Sequence, residues 1–129
     1  MVDANVLFSA FHLPNSDIAN MLQYIMTTHS LVLCQYIIDE MLRAIKKKYP
    51  QNLRSIIEKL NNLPFEMFVL PFTTNKEYPH IKDLKDIPVL VNAIESQVDI
   101  LITGDTDFDM INIDKPKILK PRQFQNIYM

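Results

Sequence analysis

Short apolar runs alternate along this chain with stretches of helical period, and that alternation restricts the fold more tightly than anything else in the sequence. Leu31-Val32-Leu33-Cys34 and Ile100-Leu101-Ile102-Thr103 are continuous apolar runs of the kind that form strands buried on both faces. Ile37, Ile38, Met41, Leu42 and Ile45 instead recur at three and four residues, as do Leu53, Ile56, Ile57, Leu60 and Leu63, and these are amphipathic helices closed by Pro50 and Pro64. Val6, Leu7, Ala10 and Phe11 give a helix directly behind Asp3, and Pro14-Asn15-Ser16 supplies a break and N-cap candidates for another over residues 17–28 that buries Ile18, Met21, Leu22 and Ile25. Residues 65–72 are aromatic and β-branched enough for a strand, residues 73–85 are a polar loop or short helix, and Asp86-Ile87-Pro88 opens a helix to Ser96 with Asp86 as N-cap. Lys117-Ile118-Leu119 is a last strand, followed behind Pro121 by a helical turn holding Phe124 and Ile127. Strands separated by helices predict right-handed crossovers and an α/β fold: a three-layer α/β/α sandwich around a central parallel sheet. Only Met1 and Val2 precede Asp3, too few for a central strand of ordinary length, so the first strand reads as truncated and residues upstream of Met1 are expected.

Composition removes several functional classes. With 129 residues, 48% apolar and 22% charged, the chain reads as one domain over 1–129 with an ordinary globular balance. The single glycine, Gly104, excludes a dinucleotide fingerprint and a P-loop, which need several. The single cysteine, Cys34, excludes an internal disulfide and a multi-cysteine zinc site. No signal-peptide pattern stands at the N-terminus, and a free thiol without an export signal predicts the cytoplasm. The net charge of −2 gives no global attraction for nucleic acid, so any such role depends on local charge.

In an open parallel sheet, ligands bind beyond the carboxyl ends of the strands. Asp3 follows the first strand, Asp105 follows the run at 100–103, Glu40 lies on the helix leaving Cys34, and Asp86 stands at the helix before residue 100. Four carboxylates from distant parts of the chain therefore converge. Two unit charges about 4 Å apart interact by roughly 4 kcal/mol at an effective dielectric near 20, so such a cluster needs protons or a cation. An all-oxygen donor set selects a hard ion, Mg²⁺ or Mn²⁺, whose useful chemistry is phosphoryl transfer. Asn5 adds a neutral oxygen that can orient an acid or a water, and Thr103 a hydroxyl that can hold a metal-bound water or a ligand carboxylate. Each acid also has an ordinary reading: Asp3 and Asp86 as helix caps, Glu40 as part of a solvated face with Arg43. Asp105, Asp107 and Asp109 alternate as in a calcium loop but lack its later glycine and glutamate. His12, His29 and His80 have no ligand spacing, and no serine sits in a nucleophile elbow.

Asp3-Ala4-Asn5-Val6-Leu7 resembles the D-T-N-V-L opening of the PIN domain family, and Leu101-Ile102-Thr103-Gly104-Asp105-Thr106-Asp107-Phe108 resembles its V-T-x-D-x-x-F signature. Tyr36-Ile37-Ile38-Asp39-Glu40-Met41 and Asp86-Ile87-Pro88-Val89-Leu90 are similar to the second and third acidic motifs, and all four occur in order. The resemblance implies a sheet in the order 3-2-1-4-5 and a metal-dependent nuclease, most often a ribonuclease, with Asp3, Glu40, Asp86 and Asp105 as catalytic and metal-binding acids. Asn5, Thr103 and Asp107 support them. Many small members are toxins of bacterial toxin–antitoxin pairs (VapC-like), homodimeric and silenced by an antitoxin protein, so an antitoxin and a homodimer or higher oligomer are the implied partners. Ala4 replaces the usual threonine, and Asp83 is the alternative to Asp86 as third acid.

Arg43, Lys46 and Lys47, with Lys48, are the substrate-binding candidates on the helix of Glu40, and Lys115, Lys117, Lys120 and Arg122 form a second basic group. Basic residues beside the acids would hold a phosphate backbone, and RNA would be met as a single-stranded or looped segment, with Tyr36 or Phe108 as stacking candidates and core packing as the ordinary reading of Phe108. The expected reaction is in-line hydrolysis leaving a 5′-phosphate and a 3′-hydroxyl. A non-catalytic PIN-fold interaction module is the competing reading. A phosphatase or receiver-like domain fits less well, because no acidic pair opens the chain. Setting the four acids aside from the fifteen leaves eleven against thirteen Lys and Arg, so the rest of the molecule is mildly basic.

Overall fold

In the computed structural model, which describes residues 1–71 and 76–129, helices and short strands alternate as the apolar pattern predicts. Helix α1 (Ala4–His12) starts directly behind Asp3 and buries Val6, Leu7, Ala10 and Phe11. Helix α2 (Asp17–Thr28) is capped by the Ser16 hydroxyl, which accepts from the Ala19 amide at 3.2 Å, and buries Met21, Leu22 and Ile25. Strand β1 (Val32–Cys34) runs without a turn into α3 (Gln35–Lys48), whose buried face is Ile37, Ile38, Met41 and Ile45. The chain returns through α4 (Leu53–Asn61), which buries Ile56 and Leu60, to β2 (Glu66–Phe68). Helix α5 (Ile87–Glu95), strands β3 (Ile100–Ile102) and β4 (Lys117–Leu119), and α6 (Pro121–Tyr128) complete the order. Leu7, Met21, Leu33, Ile37, Met41, Leu90, Leu101, Phe108 and Phe124 are fully buried in one apolar core. No helix among the described residues is long and apolar enough to cross a membrane.

All strand pairing is parallel. β1 pairs with β2, Val32 facing Glu66 and Cys34 facing Phe68, and β3 pairs with β4, Ile100 facing Lys117 and Ile102 facing Leu119. The N-terminal residues join β3 through a bridge between Val2 and Ile102. The Met1 amine donates to the Ile100 carbonyl at 2.8 Å, the Ile102 amide to the Met1 carbonyl at 2.9 Å, and the Asp3 amide to the Ile102 carbonyl at 2.9 Å. Because parallel neighbours end at the same edge, Asp3 and the Thr103–Asp105 segment emerge side by side.

Several expectations change. Among the described residues, hydrogen bonding gives two two-stranded sheets plus the Val2 bridge; with the N-terminal segment counted as strand 1 and β1 to β4 as strands 2 to 5, the neighbours 3-2, 1-4 and 4-5 of the order 3-2-1-4-5 are paired and 2-1 is not. Of the strand expected over 65–72, only three residues pair, because β1 is itself three residues long and β2 ends where its partner ends; Val69 beyond it is 78% exposed. Phe72 and residues 73–75 of the expected polar stretch lie outside the described residues. Of the two apolar residues of α6, Phe124 is buried and holds the helix inward while Ile127 is 54% exposed. Phe108 takes its core reading, not the stacking one. Three single-turn 3-10 segments, Pro50–Asn52, Leu84–Asp86 and Thr106–Phe108, are too short for periodicity to reveal, and two of them carry acids of the candidate site.

Candidate metal centre

The acids at the strand ends are tied together through one hydroxyl. Asp3 Oδ1 accepts the Ala4 amide at 2.7 Å, so the residue does cap α1, while its Oδ2 accepts the Thr103 hydroxyl at 2.7 Å. The same Thr103 Oγ1 accepts the Asp105 amide at 3.1 Å, linking the first and last acids through a residue 1% exposed. Asp105 Oδ1 accepts the Asp107 amide at 2.9 Å and caps the turn Thr106–Phe108. Gly104, between Thr103 and Asp105, has no positive φ, and a Cβ built on it meets nothing within 4 Å, so this turn does not require glycine.

The third acid, Asp86, stands at the N-cap position of α5 as expected but makes no cap hydrogen bond with its side chain. Asp83 does the capping: its Oδ1 accepts the Lys85 amide at 3.0 Å at the head of the turn Leu84–Asp86. Asp86 follows in helical backbone conformation and makes no cap hydrogen bond, which frees its carboxyl to turn inward. It is 8% exposed, and its Oδ2 is buried with no hydrogen-bond partner. An unpartnered buried carboxylate oxygen costs on the order of 1–3 kcal/mol or more, so the site demands a proton or a cation there. The Tyr36 hydroxyl on α3 donates to the Lys85 carbonyl at 2.8 Å and holds this turn against the helix of Glu40.

Asp3, Glu40, Asp86 and Asp105 line one cleft of about 370 Å³, together with Asn5. Arg43, Lys47, Lys48 and Lys85 line it as well, whereas Lys46 is exposed on α3 away from it. Asp107 lies outside that lining, but one oxygen each of Asp83, Asp86 and Asp107 fall within 4.8 Å of one another. Crowding is visible in the protonation equilibria. Asp86 is pushed up to about 7, first by burial, then by the hydrogen bond and charge of the neighbouring Asp105 carboxyl, and further by Asp3 and Asp83. Burial also raises Asp3, against the opposing hydrogen bonds from Thr103 and Ala4. Glu40 is raised by burial and the charge of Asp3, with Tyr36, Arg43 and Lys85 opposing. Tyr36 is pushed up to about 12 by burial and by Glu40. Oxygen-only donors, mutual repulsion and an oxygen without a partner are together the requirements of a hard divalent cation, so the residues present fit one.

Lys48, the end of the basic run on α3, does line the cleft, whereas Lys85 and the ring of Phe8 there were not anticipated. Phe8 had a legible signal, since Asn5, Phe8 and His12 follow one another at three and four residues along α1. Lys85 had none, because its place depends on the Tyr36 contact from 49 residues away.

No curated protein matches the chain, and no solved structure does. A family model for the PIN domain matches residues 1–107, a span that contains the strand-end acids, Glu40, the turn carrying Asp86 and all of the cleft lining. By that match, and with its acids gathered at the ends of short parallel strands, the chain belongs to the PIN domain family.

Proposed function

We propose that this chain is a Mg²⁺- or Mn²⁺-dependent ribonuclease and the toxin of a toxin–antitoxin pair, acting as one nuclease unit over residues 1–129. The observation that carries the reading is the crowded carboxylate cleft with a buried, partnerless Asp86 oxygen. PIN domains are generally metal-dependent nucleases, and the sheet is read as the family order 3-2-1-4-5. Asp3, Glu40, Asp86 and Asp105 would hold the cation. When bound, it supplies the positive charge that neutralises the acids and the acidification of water that phosphodiester hydrolysis needs near neutral pH.

The chain's own residues do the rest. Thr103 and the Ala4 amide hold the Asp3 carboxylate in one orientation, so it does not have to reorganise during the reaction. Arg43 and Lys47 sit on the cleft wall next to the acids, where they would bind the phosphates flanking the reacting one. Asn5, exposed at the mouth, would orient the attacking water without adding charge. RNA incubated with the protein in Mg²⁺ or Mn²⁺ is expected to yield 5′-phosphate ends, and chelation to stop the reaction. Asp105→Asn is expected to abolish cleavage without lowering the melting temperature. Full activity of that variant in Mn²⁺ would overturn the assignment. A co-encoded antitoxin protein that suppresses cleavage, and a homodimer in solution, are the partners this reading expects.

A further inference from the structure

We infer that Phe8, His12 and Tyr49 form a base-stacking shelf continuous with the acid cleft, which selects single-stranded RNA; this rests on the nuclease reading above. Phe8 lines the acid cleft and also a small recess it shares with His12 and Tyr49. The rings pack as a group: His12 on Tyr49 with centroids 4.2 Å apart, Phe8 on His12 at 5.6 Å and Phe8 against Tyr49 at 6.1 Å. All three are half-buried rather than core. The Lys48 ammonium lies over the Phe8 ring, 5.6 Å from its centre, and lines the same cleft. A phosphate-binding charge and a group of rings therefore stand at one end of the cleft.

Helix geometry sets the direction. Asn5, Phe8 and His12 lie on one stripe of α1, and at about 1.5 Å per residue Phe8 is about 7.5 Å and His12 about 13.5 Å along the axis from Asp3. Glu40, Arg43 and Lys47 make the corresponding stripe on α3, which packs on α1 and ends at Tyr49. The groove thus passes from acids to cations to rings. A strand whose reacting phosphate lies over the acids would meet the cations with its next phosphates and the rings with the bases flanking the cut. Stacking uses the π-face that every base has, so the shelf discriminates by strandedness rather than by sequence. A duplex keeps its bases inside and cannot use it.

Two probes separate stacking from charge. The Asp105→Asn protein, in Mg²⁺, is titrated with an unstructured RNA oligonucleotide and with the same backbone carrying abasic sites. The intact oligonucleotide should bind at least about tenfold more tightly, and Phe8→Leu or His12→Leu in that background should remove the difference while leaving the abasic affinity unchanged. The abasic comparison needs no shelf variant, so a variant that fails to fold does not leave the inference open. Equal affinity for the two probes, with wild-type protein still cleaving RNA, would overturn the shelf and leave the nuclease reading standing. If no RNA is bound or cleaved in any metal, the nuclease reading falls and the shelf with it, and the groove is then open to a protein segment instead.

Discussion

Thr103 is the residue on which the geometry of the acids turns. Its hydroxyl donates to Asp3 and accepts from the Asp105 amide, so Thr103→Val, nearly the same shape, leaves both groups without a buried partner. A loss of about 1–3 kcal/mol in a denaturant titration is expected, together with a fall in RNA cleavage, whereas an unchanged midpoint would mean the hydroxyl is not holding the site. Asp86 carries the pH dependence. Its folded pKa, about 7, lies above the 3.8 of the unfolded chain, so between those values the unfolded state has lost a proton that the folded state keeps. Stability must then fall as pH rises across that window, and Asp3 and Glu40, raised as well, act in the same direction. Melting in chelator is expected to decline from pH 4 toward pH 7, and Asp86→Asn to flatten the decline; a wild-type profile that rises over the window would contradict the crowding.

Among the elements, the single turn Leu84–Asp86 was least legible, although it carries Asp86 and is capped by Asp83. Asp86 stands at the N-cap position of α5 as its spacing predicts, but the backbone puts a 3-10 turn before it, and the side chain that caps is Asp83, on that turn. The distinction can be read by substitution. Asn caps about as well as Asp, so Asp83→Asn should preserve stability and cleavage, Asp83→Ala should cost about 1 kcal/mol, and Asp86→Asn should abolish cleavage. Loss of cleavage in Asp83→Asn with retained stability would make Asp83 the third acid instead. Long periodic elements behaved differently: α2 and α3 follow their apolar spacing, and α3 stops before Pro50, because burial of a whole face decides them. The strand over 65–72 was over-read for the opposite reason, since propensity cannot say how long a partner strand is.

At the scale of the whole molecule, the alternation of apolar run and helical period was sufficient to predict parallel strands with acids at their carboxyl ends. Asp3, Glu40, Asp86 and Asp105, drawn from four distant segments, do line one cleft. The Thr103 hydroxyl on a carboxylate was legible too, but the Tyr36 hydroxyl on the Lys85 carbonyl and the meeting of Phe8 with Tyr49 are contacts made across the fold that the sequence could not reveal. The charge distribution is as mixed as the site needs, with the acids Asp3, Glu40, Asp83, Asp86 and Asp105 in the cleft and Arg43, Lys47, Lys48 and Lys85 on its walls. A cation in the cleft would remove the repulsion between the site and a phosphate backbone. The direct measurement is thermal unfolding at neutral pH as Mn²⁺ is titrated into the chelator-treated protein and into Asp86→Asn. Wild-type melting should rise with Mn²⁺ concentration, by the linkage expected of a ligand that binds only the folded state, and the variant should respond weakly or not at all. A wild-type melting temperature that does not move with Mn²⁺ or Mg²⁺ would contradict a metal centre in this cleft.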